Sequence, residues 1–392
     1  MVESADIVVI GGGAVGTATA YFLAQKGLDV TLLEKGCIAD GSSGKCDGNV
    51  VLHDTLPGYD CQLKKLSLDM FPVLAQELDY DIGWSRKGSV LVIENDVEME
   101  VAQNHCHLMQ AHGYPFKIMD RDELLGDEPH LAADIAGGIE VACDGSLNPM
   151  ALAYGLMQGA KKRAAKILLH TSVTEIKRDA NGRIEFVVTD RGKIHTRKVV
   201  NAAGVWAADI GNMVGLDIPI KPRQGQLIVG ERTFPVAKRK ISEFGYIMAK
   251  FERSDYQRSV TPEMEKHGVA LVFEPTEAGT CLIGSSRRFT GLDISNNLEV
   301  IRAIAQRAIR FFPVLKNIRV IRTYAGLRPY TPDHFPIISE TQIPGFYVAT
   351  GHEGNGIGLS LITGKLVSQM ISKESTDISI EPLKLDRFYQ NR

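Results

Sequence analysis

The sequence lacks an excess of charge of either sign: 44 Lys and Arg residues against 47 Asp and Glu leave a formal net charge of −3. That excludes the sustained positive field with which a protein holds nucleic acid or an anionic membrane surface. The densest basic run, Lys161-Lys162-Arg163, reads as the solvated face of a helix. No apolar run approaches the roughly 20 residues of a membrane-spanning helix. No basic stretch precedes an apolar one near the N-terminus, so a cytoplasmic protein is expected. The six cysteines, at positions 37, 46, 61, 106, 143 and 281, form no C-x-x-C pair and stand beside no histidine at zinc-ligand spacing. No metal site and no iron–sulfur centre of the chain's own is therefore expected. Reduced thiols suit a chain too large to need disulfide staples. Internal repeats, low-complexity linkers and coiled-coil heptads are also missing, which leaves no stripe from which an oligomer could be read.

What is present is the balance of a globular chain: 392 residues, 44% hydrophobic and 23% charged, enough for two or three domains. Residues 6–10 (Asp6-Ile7-Val8-Val9-Ile10) read as a buried parallel strand. They enter Gly11-Gly12-Gly13-Ala14-Val15-Gly16, then a helix expected over 17–26 and ended by Gly27, then a second strand over 28–34. In this strand–turn–helix–strand setting the G-x-G-x-x-G pattern is a dinucleotide-binding fingerprint. Gly11 permits the tight turn, Gly13 lets backbone approach a pyrophosphate, and Gly16 allows close helix–strand packing. The helix start at Ala14 and Val15 offers free N–H groups and a positive dipole end to the phosphates. Glu34, followed by Lys35, ends the second strand where a carboxylate can accept both ribose hydroxyls. The fingerprint alone does not distinguish FAD from a nicotinamide cofactor.

Further along, hairpin-like alternation over about 86–142 and 223–322 indicates a second domain inserted into the first. The nucleotide-domain pattern returns near 167–220 and again near 345–371. The fold class expected is α/β: a discontinuous Rossmann-like dinucleotide-binding domain (1–85, 143–222 and 323–392) with an inserted mixed or antiparallel β-sheet substrate domain (86–142 and 223–322).

Five blocks in order carry a resemblance over nearly the whole chain. They are Gly41-Ser42-Ser43-Gly44-Lys45-Cys46-Asp47-Gly48-Asn49, Asp144-Gly145-Ser146-Leu147-Asn148-Pro149, Val200-Asn201-Ala202-Ala203-Gly204-Val205-Trp206, Ala325-Gly326-Leu327-Arg328-Pro329-Tyr330-Thr331-Pro332-Asp333 and Gly351-His352-Glu353-Gly354-Asn355-Gly356-Ile357. With them the chain resembles the D-amino-acid oxidase superfamily of FAD-dependent oxidoreductases, the glycine and sarcosine oxidases among them. The resemblance implies FAD as cofactor, in the discontinuous domain, and oxidation of an amino-acid C–N bond to an imine by hydride transfer to flavin N5. Ser42 and Ser43 would meet the diphosphate, Gly48 and Asn49 would run against the ring system, and Val173 would meet the adenine through its backbone. Ala202, Gly204 and Trp206 would form a small-residue strand end beside the cofactor. Gly326 is expected close to it as well, and a helix opened by Gly351 to Gly356 and running to about Met370, with Gly354, Asn355, Gly356 and Ile357 near its start, would face the flavin pyrimidine.

Arg328 is the candidate anchor for a substrate carboxylate, because a guanidinium grips a carboxylate through two parallel hydrogen bonds. Tyr246 and Tyr324 are candidates for the pocket wall. His352 and Glu353 invite an acid–base reading, but positioning alone can suffice for oxidising a neutral amine, and a structural His352 is expected. The Gly-His-Glu-Gly-Asn-Gly-Ile form of the last block resembles catalytic β-type subunits of opine oxidases, hydroxyproline and proline dehydrogenases and hydrogen cyanide synthase. That implies partner subunits carrying FMN, FAD or iron–sulfur relays, and a small amino-acid, imino-acid or opine substrate. The alternative is a stand-alone D-amino-acid, glycine or sarcosine oxidase that releases hydrogen peroxide.

Overall fold

The structure, a computed structural model, describes residues 3–248 and 256–389. The strand Ile7–Ile10 is apolar at every position and buried at every position, as a strand covered on both faces must be. It lies inside a six-stranded sheet ordered Ile337–Glu340, Phe346–Thr350, Val199–Asn201, Ile7–Ile10, Val30–Leu33, Lys166–Leu168. All neighbours in it are parallel except the first pair. The first helix spans Ala14–Gln25, three residues earlier than its sequence suggests, because Gly13 is already its N-cap and Gly16 is absorbed into the first turn. It packs between the helices Pro149–Lys162 and Ser360–Ile371, which bury one side of the sheet. The second strand is shorter than expected, Val30–Leu33, so Glu34 stands just beyond its end.

Of the 167–220 region, only the strands Lys166–Leu168 and Val199–Asn201 join this sheet. The segments Val173–Arg178, Ile184–Thr189 and Gly192–His195 form an antiparallel layer with Glu3–Ser4 on its edge. The expected final helix is also corrected. It begins at Ser360, and the glycine-rich stretch before it makes a short 3-10 turn, Glu353–Asn355. Glu353 takes φ +48°, a left-handed conformation that no continuous helix tolerates, so the turn stays separate.

The second layer is an eight-stranded sheet: Val320–Tyr330, Lys221–Gly230, Cys281–Gly284, Val272–Pro275, Lys240–Glu243, Ser89–Ile93, Gly137–Val141, Phe116–Asp120. It is mixed, because Lys240–Glu243 runs parallel to Ser89–Ile93 while the other neighbours are antiparallel. The helix Leu298–Phe311 covers it with Val300, Ala303, Ile304, Ala308 and Phe311. Arg307 on the same helix is buried, yet it is held by Glu94 and Glu243, each at 2.7 Å. A buried charge so paired avoids the large penalty of an isolated one. The strands Lys221–Gly230 and Val320–Tyr330 pair along their whole length, from Lys221 opposite Tyr330 to Gly230 opposite Val320. They thus straddle the expected boundaries at 222/223 and 322/323, and their shared end reaches the first sheet's cleft. No helix among the described residues is long and apolar enough to cross a membrane.

Candidate active site

A cavity of about 540 Å³ runs from the Gly11–Gly16 turn, past the ends of the parallel strands, to the paired strands that carry Arg328. At its first end, a Cβ at Gly11 would come within 2.8 Å of the Ala202 carbonyl carbon, and one at Gly16 would overlap the Gly11 carbonyl. The close crossing of turn, helix and strand that a dinucleotide site needs is therefore built with no spare room. No side chain at Gly13 caps the helix, so apart from Ala14 N its first-turn donors are left for an anion. Ser43 Oγ accepts from Ala14 N at 3.0 Å and still faces the cavity, while Ser42 Oγ donates to the Leu327 carbonyl.

Both Glu34 oxygens are used locally: Oε2 accepts from Gly12 N and Oε1 from Gly36 N, each at 2.7 Å. This fixes the carboxylate in the cavity wall, where its remaining lone pairs can take hydroxyl protons. Lys35 Nζ lies 3.3 Å from the centroid of the Trp206 ring, and both line the cavity next to Val173. Burial lowers the Lys35 pKa below the ordinary lysine value. Across the strand ends, Asn201 Nδ2 donates to the Ala207 carbonyl at 2.8 Å and Thr350 Oγ1 donates to the Gly204 carbonyl at 3.0 Å. These bonds hold the small-residue turn 202–204 open along the cleft.

Arg328 lines the far part of the cavity, and its Nη1 donates to the Ser286 carbonyl at 2.9 Å. No carboxylate forms an ion pair with it among the described residues, although burial and neighbouring Arg223 both depress its pKa. Gly225, on the paired strand, makes the space: a Cβ there would lie 2.5 Å from Arg328 Nη2 and 2.6 Å from Cζ. Gly354 approaches from the other side, where a Cβ would sit 4.0 Å from Arg328 Nε. Glu353 is engaged, accepting from Arg223 at 2.5 Å and sharing a 2.9 Å contact with His334 Nδ1. His352 is buried with Nε2 2.9 Å from Thr363 Oγ1, and burial pushes its pKa down to about 3. It is a neutral, structurally tied imidazole, as its place at the turn suggests.

The cavity wall contains Gly11, Gly13, Ala14, Val15, Glu34, Lys35, Ser42, Ser43, Val173, Ala202, Gly204, Trp206, Gly326, Arg328, Gly354, Gly356 and Ile357. It does not contain Gly16, Gly48, Asn49, Asn355, Tyr246 or Tyr324. Gly16 acts behind the wall through packing. Asn49 and Asn355 border a separate, water-sized cavity of about 10 Å³. Gly48 N donates to Glu274, and the Gly48 backbone passes too close to Leu147 for any side chain. Tyr246 lies under Arg287, whose Cζ is 3.7 Å from the ring centroid. Tyr324 stands behind Cys46 and Asp47, and burial together with the negative charge of Asp47 raises its pKa.

The sequence reading passed over several groups. Asp47 faces the cavity and is held in its charged form by Lys240, 3.4 Å away, and by Arg328. Glu274 behind it is driven up to about 7 by burial and by Asp47. Cys46 lines the wall, but burial and the same two carboxylates raise its thiol well above the ordinary value, so it is no thiolate nucleophile. Gly225, Leu227, Met213, Leu292 and Ile294 complete the wall. Gly225 lies between Gln224 and Gln226 in the strand Lys221–Gly230, where no local pattern sets it apart.

A cleft with a nucleotide-binding turn at one end and an arginine at the other defines a class, a dinucleotide-dependent redox enzyme. The family described as FAD dependent oxidoreductase (DAO) matches residues 6–370, and the chain belongs to it. FAD is therefore its cofactor. Subunit HcnC of the hydrogen cyanide synthase of Pseudomonas aeruginosa is 28% identical to it, over 98% of this chain and 96% of that one. Glycine oxidase of Geobacillus kaustophilus is 27% identical over 99% and 98% of the two chains. Its crystal structure superposes with a TM-score of 0.87 at 25% identity, covering 98% of this chain and 99% of that one. L-proline dehydrogenase from P. horikoshii gives a TM-score of 0.89 at 25% identity, covering 100% of both chains.

Proposed function

We propose that the protein oxidises a carbon–nitrogen bond in an amino acid or secondary amine, as the catalytic subunit of a multi-subunit dehydrogenase. The observation that carries this reading is Arg328: a guanidinium in the cavity wall, with no ion pair among the described residues and two glycines clearing its approach. Such a group, shielded from water, selects a carboxylate. Gly11, Gly13, Ala14, Val15, Ser43 and Glu34 would hold the diphosphate and ribose, and Lys35, Val173 and Trp206 the adenine end. The bound FAD supplies a two-electron acceptor beside the arginine. The chain's own residues bind and orient: Arg328 fixes the carboxylate, and Leu227, Leu292 and Ile294 exclude water around the substrate's apolar parts. Of the acid–base candidates in the wall, His352 is neutral and tied to Thr363, Glu353 is taken up by Arg223 and His334, and Asp47 is paired with Lys240. The substrate would enter with its amine already neutral.

Dehydrogenase character is favoured by the similarity to HcnC, itself a subunit of a larger enzyme. The electrons would then pass to partner subunits carrying FMN, FAD or iron–sulfur centres. A stand-alone oxidase is the second reading, favoured by the end-to-end match to glycine oxidase. Anaerobic titration of the FAD-loaded protein with amino acids, imino acids and opines tests both. Bleaching of the flavin by one of them is the expected result, and no bleaching by any overturns catalysis by this chain alone. Rapid recovery of the colour on admitting air, with stoichiometric peroxide, would replace the dehydrogenase reading with the oxidase one.

A further inference from the structure

Two opposite charges line the cavity and do not meet. Arg328 donates through Nη1 to the Ser286 carbonyl at 2.9 Å, and its Nη2 makes no hydrogen bond among the described residues. Asp47 lines the same wall, with 21% of its side chain still exposed. Both of its hydrogen bonds end on one oxygen: Oδ2 accepts from Asn49 Nδ2, and from Lys240 Nζ at 3.4 Å. The lysine contact is longer than the roughly 2.7–2.9 Å of a tight charge-assisted bond. Oδ1 has no partner among the described residues, yet it is not one of their sealed-off polar atoms, so it opens onto the cavity. Burial works against the Asp47 charge, but Lys240, Arg328 and Asn49 outweigh it and hold the carboxyl below the ordinary aspartate range. Asp47 in turn favours the charged form of Arg328, although no ion pair joins the two among the described residues. The carboxylate is also aimed. Glu274 accepts from Gly48 N at 3.2 and 3.1 Å and so fixes the residue after Asp47. Lys240 and Glu274 come from the strands Lys240–Glu243 and Val272–Pro275, so the second sheet positions an acid that the Ser42–Ser43 loop supplies.

We propose that Asp47 recognises the substrate's amine: with the substrate carboxylate on Arg328, Asp47 Oδ1 accepts a hydrogen bond from the substrate's N–H. This rests on the amine-oxidation reading and deepens it. Asp47 serves as an acceptor and not as a base, because a carboxyl kept ionised by two cations has little hold on a proton. A neutral primary or secondary amine still has an N–H to donate, whereas a neutral tertiary amine has none. A methyl group in the place of the nitrogen would leave Oδ1 desolvated and unpaired, which is the strongest ground on which a polar site rejects an isostere.

The test is calorimetric binding of 2-aminoisobutyrate and pivalate to the FAD-loaded protein. The two differ only in an amine for a methyl group, and neither has a hydrogen on the α-carbon, so neither can reduce the flavin. Aminoisobutyrate is expected to bind about 10- to 100-fold more tightly, the worth of one hydrogen bond to a charged group. In Asp47→Asn, checked for a normal flavin spectrum and Tm, the preference should collapse to within about 3-fold, while pivalate binds at least as well as before. Equal binding of the two probes by the unaltered protein, a preference for pivalate, or failure of aminoisobutyrate to bind overturns the proposal without reference to any variant. So does a preference that survives in Asp47→Asn, or an equal loss of both ligands there, which would make Asp47 a structural partner of Lys240 alone. Bleaching of the flavin by amino acids in the same preparation, with no preference for aminoisobutyrate, would sink this inference and leave the amine-oxidation reading standing.

Discussion

Replacing Gly225 with alanine tests the site without removing a charge. The new Cβ would lie 2.5 Å from Arg328 Nη2, 2.6 Å from Cζ and nearer still to Nη1. Ordinary non-bonded separations are about 3.5–4.0 Å, so the guanidinium must retreat by about 1 Å. The displaced atoms are the tip of a flexible side chain rather than backbone, so the fold should absorb the change. A carboxylate held through two aligned N–H groups cannot follow such a shift without losing at least one of them. Charge-assisted bonds of this kind are worth about 1.5–3 kcal/mol, which translates to a rise of about 10- to 100-fold in half-saturating substrate concentration. Anaerobic stopped-flow reduction of the flavin reads this directly, and Tm with flavin content reports on folding. Gly326→Ala is the control. There the Cβ would press on the Lys45 carbonyl and sit 3.0 Å from the Lys45 Cβ, so the cleft wall itself must move. Its expected effect is loss of bound FAD. Unchanged half-saturation in Gly225→Ala would refute the placement of the substrate carboxylate on Arg328.

Arg328→Leu should weaken substrate binding by roughly 2–5 kcal/mol, measured as the same half-saturation constant, while FAD stays bound. Gly16→Ala, whose Cβ would overlap the Gly11 carbonyl and lie 3.0 Å from its carbon, should cost about 1–3 kcal/mol in overpacking; scanning fluorimetry should show a lowered Tm and the purified protein a reduced flavin content. Glu98→Gln probes pH dependence. Burial raises Glu98 from 4.5 to about 7, so the folded state holds a proton that the unfolded chain releases. Its contribution to stability is full below about 4.5 and is lost as pH rises through about 7. Denaturant midpoints between those pH values should fall less steeply in Glu98→Gln than in the unaltered protein.

The first βαβ unit was legible because each step has a local cause: an all-apolar strand, three glycines at fixed spacing, and an acid where the next strand ends. The fold class and the FAD cofactor followed from five blocks whose order survives in the chain. Arg328 could be singled out because its block is contiguous. What could not be read is what distant residues do together. Asp47 meets Lys240 across 193 positions, and Arg223 meets Glu353 across 130. Neither pair has a local spacing rule. The helix expected to open over Gly351 to Gly356 failed for a backbone reason, since nothing in the composition of that turn announces a left-handed Glu353. Tyr246 and Tyr324 were singled out as bare aromatics; the structure gives each a charged neighbour, Arg287 in one case and Asp47 in the other.

The pairing of Lys221–Gly230 with Val320–Tyr330 explains why the cofactor cleft and the substrate sheet meet where they do. Midway along this ladder, Gly225 faces Gly326, and both line the cavity. Arg328 and Arg223 face each other two residues further along. Two cations directly opposite on neighbouring strands repel, and such a pair persists only if something compensates. For Arg223 the compensation is Glu353, delivered by the left-handed turn that also brings Gly354 against Arg328. Arg328 has only a carbonyl. The turn that precedes the helix Ser360–Ile371 thus neutralises one arginine of the pair and leaves space around the other. That asymmetry leaves Arg328 at the cavity wall with no ion pair among the described residues, where a substrate carboxylate would supply what the protein withholds.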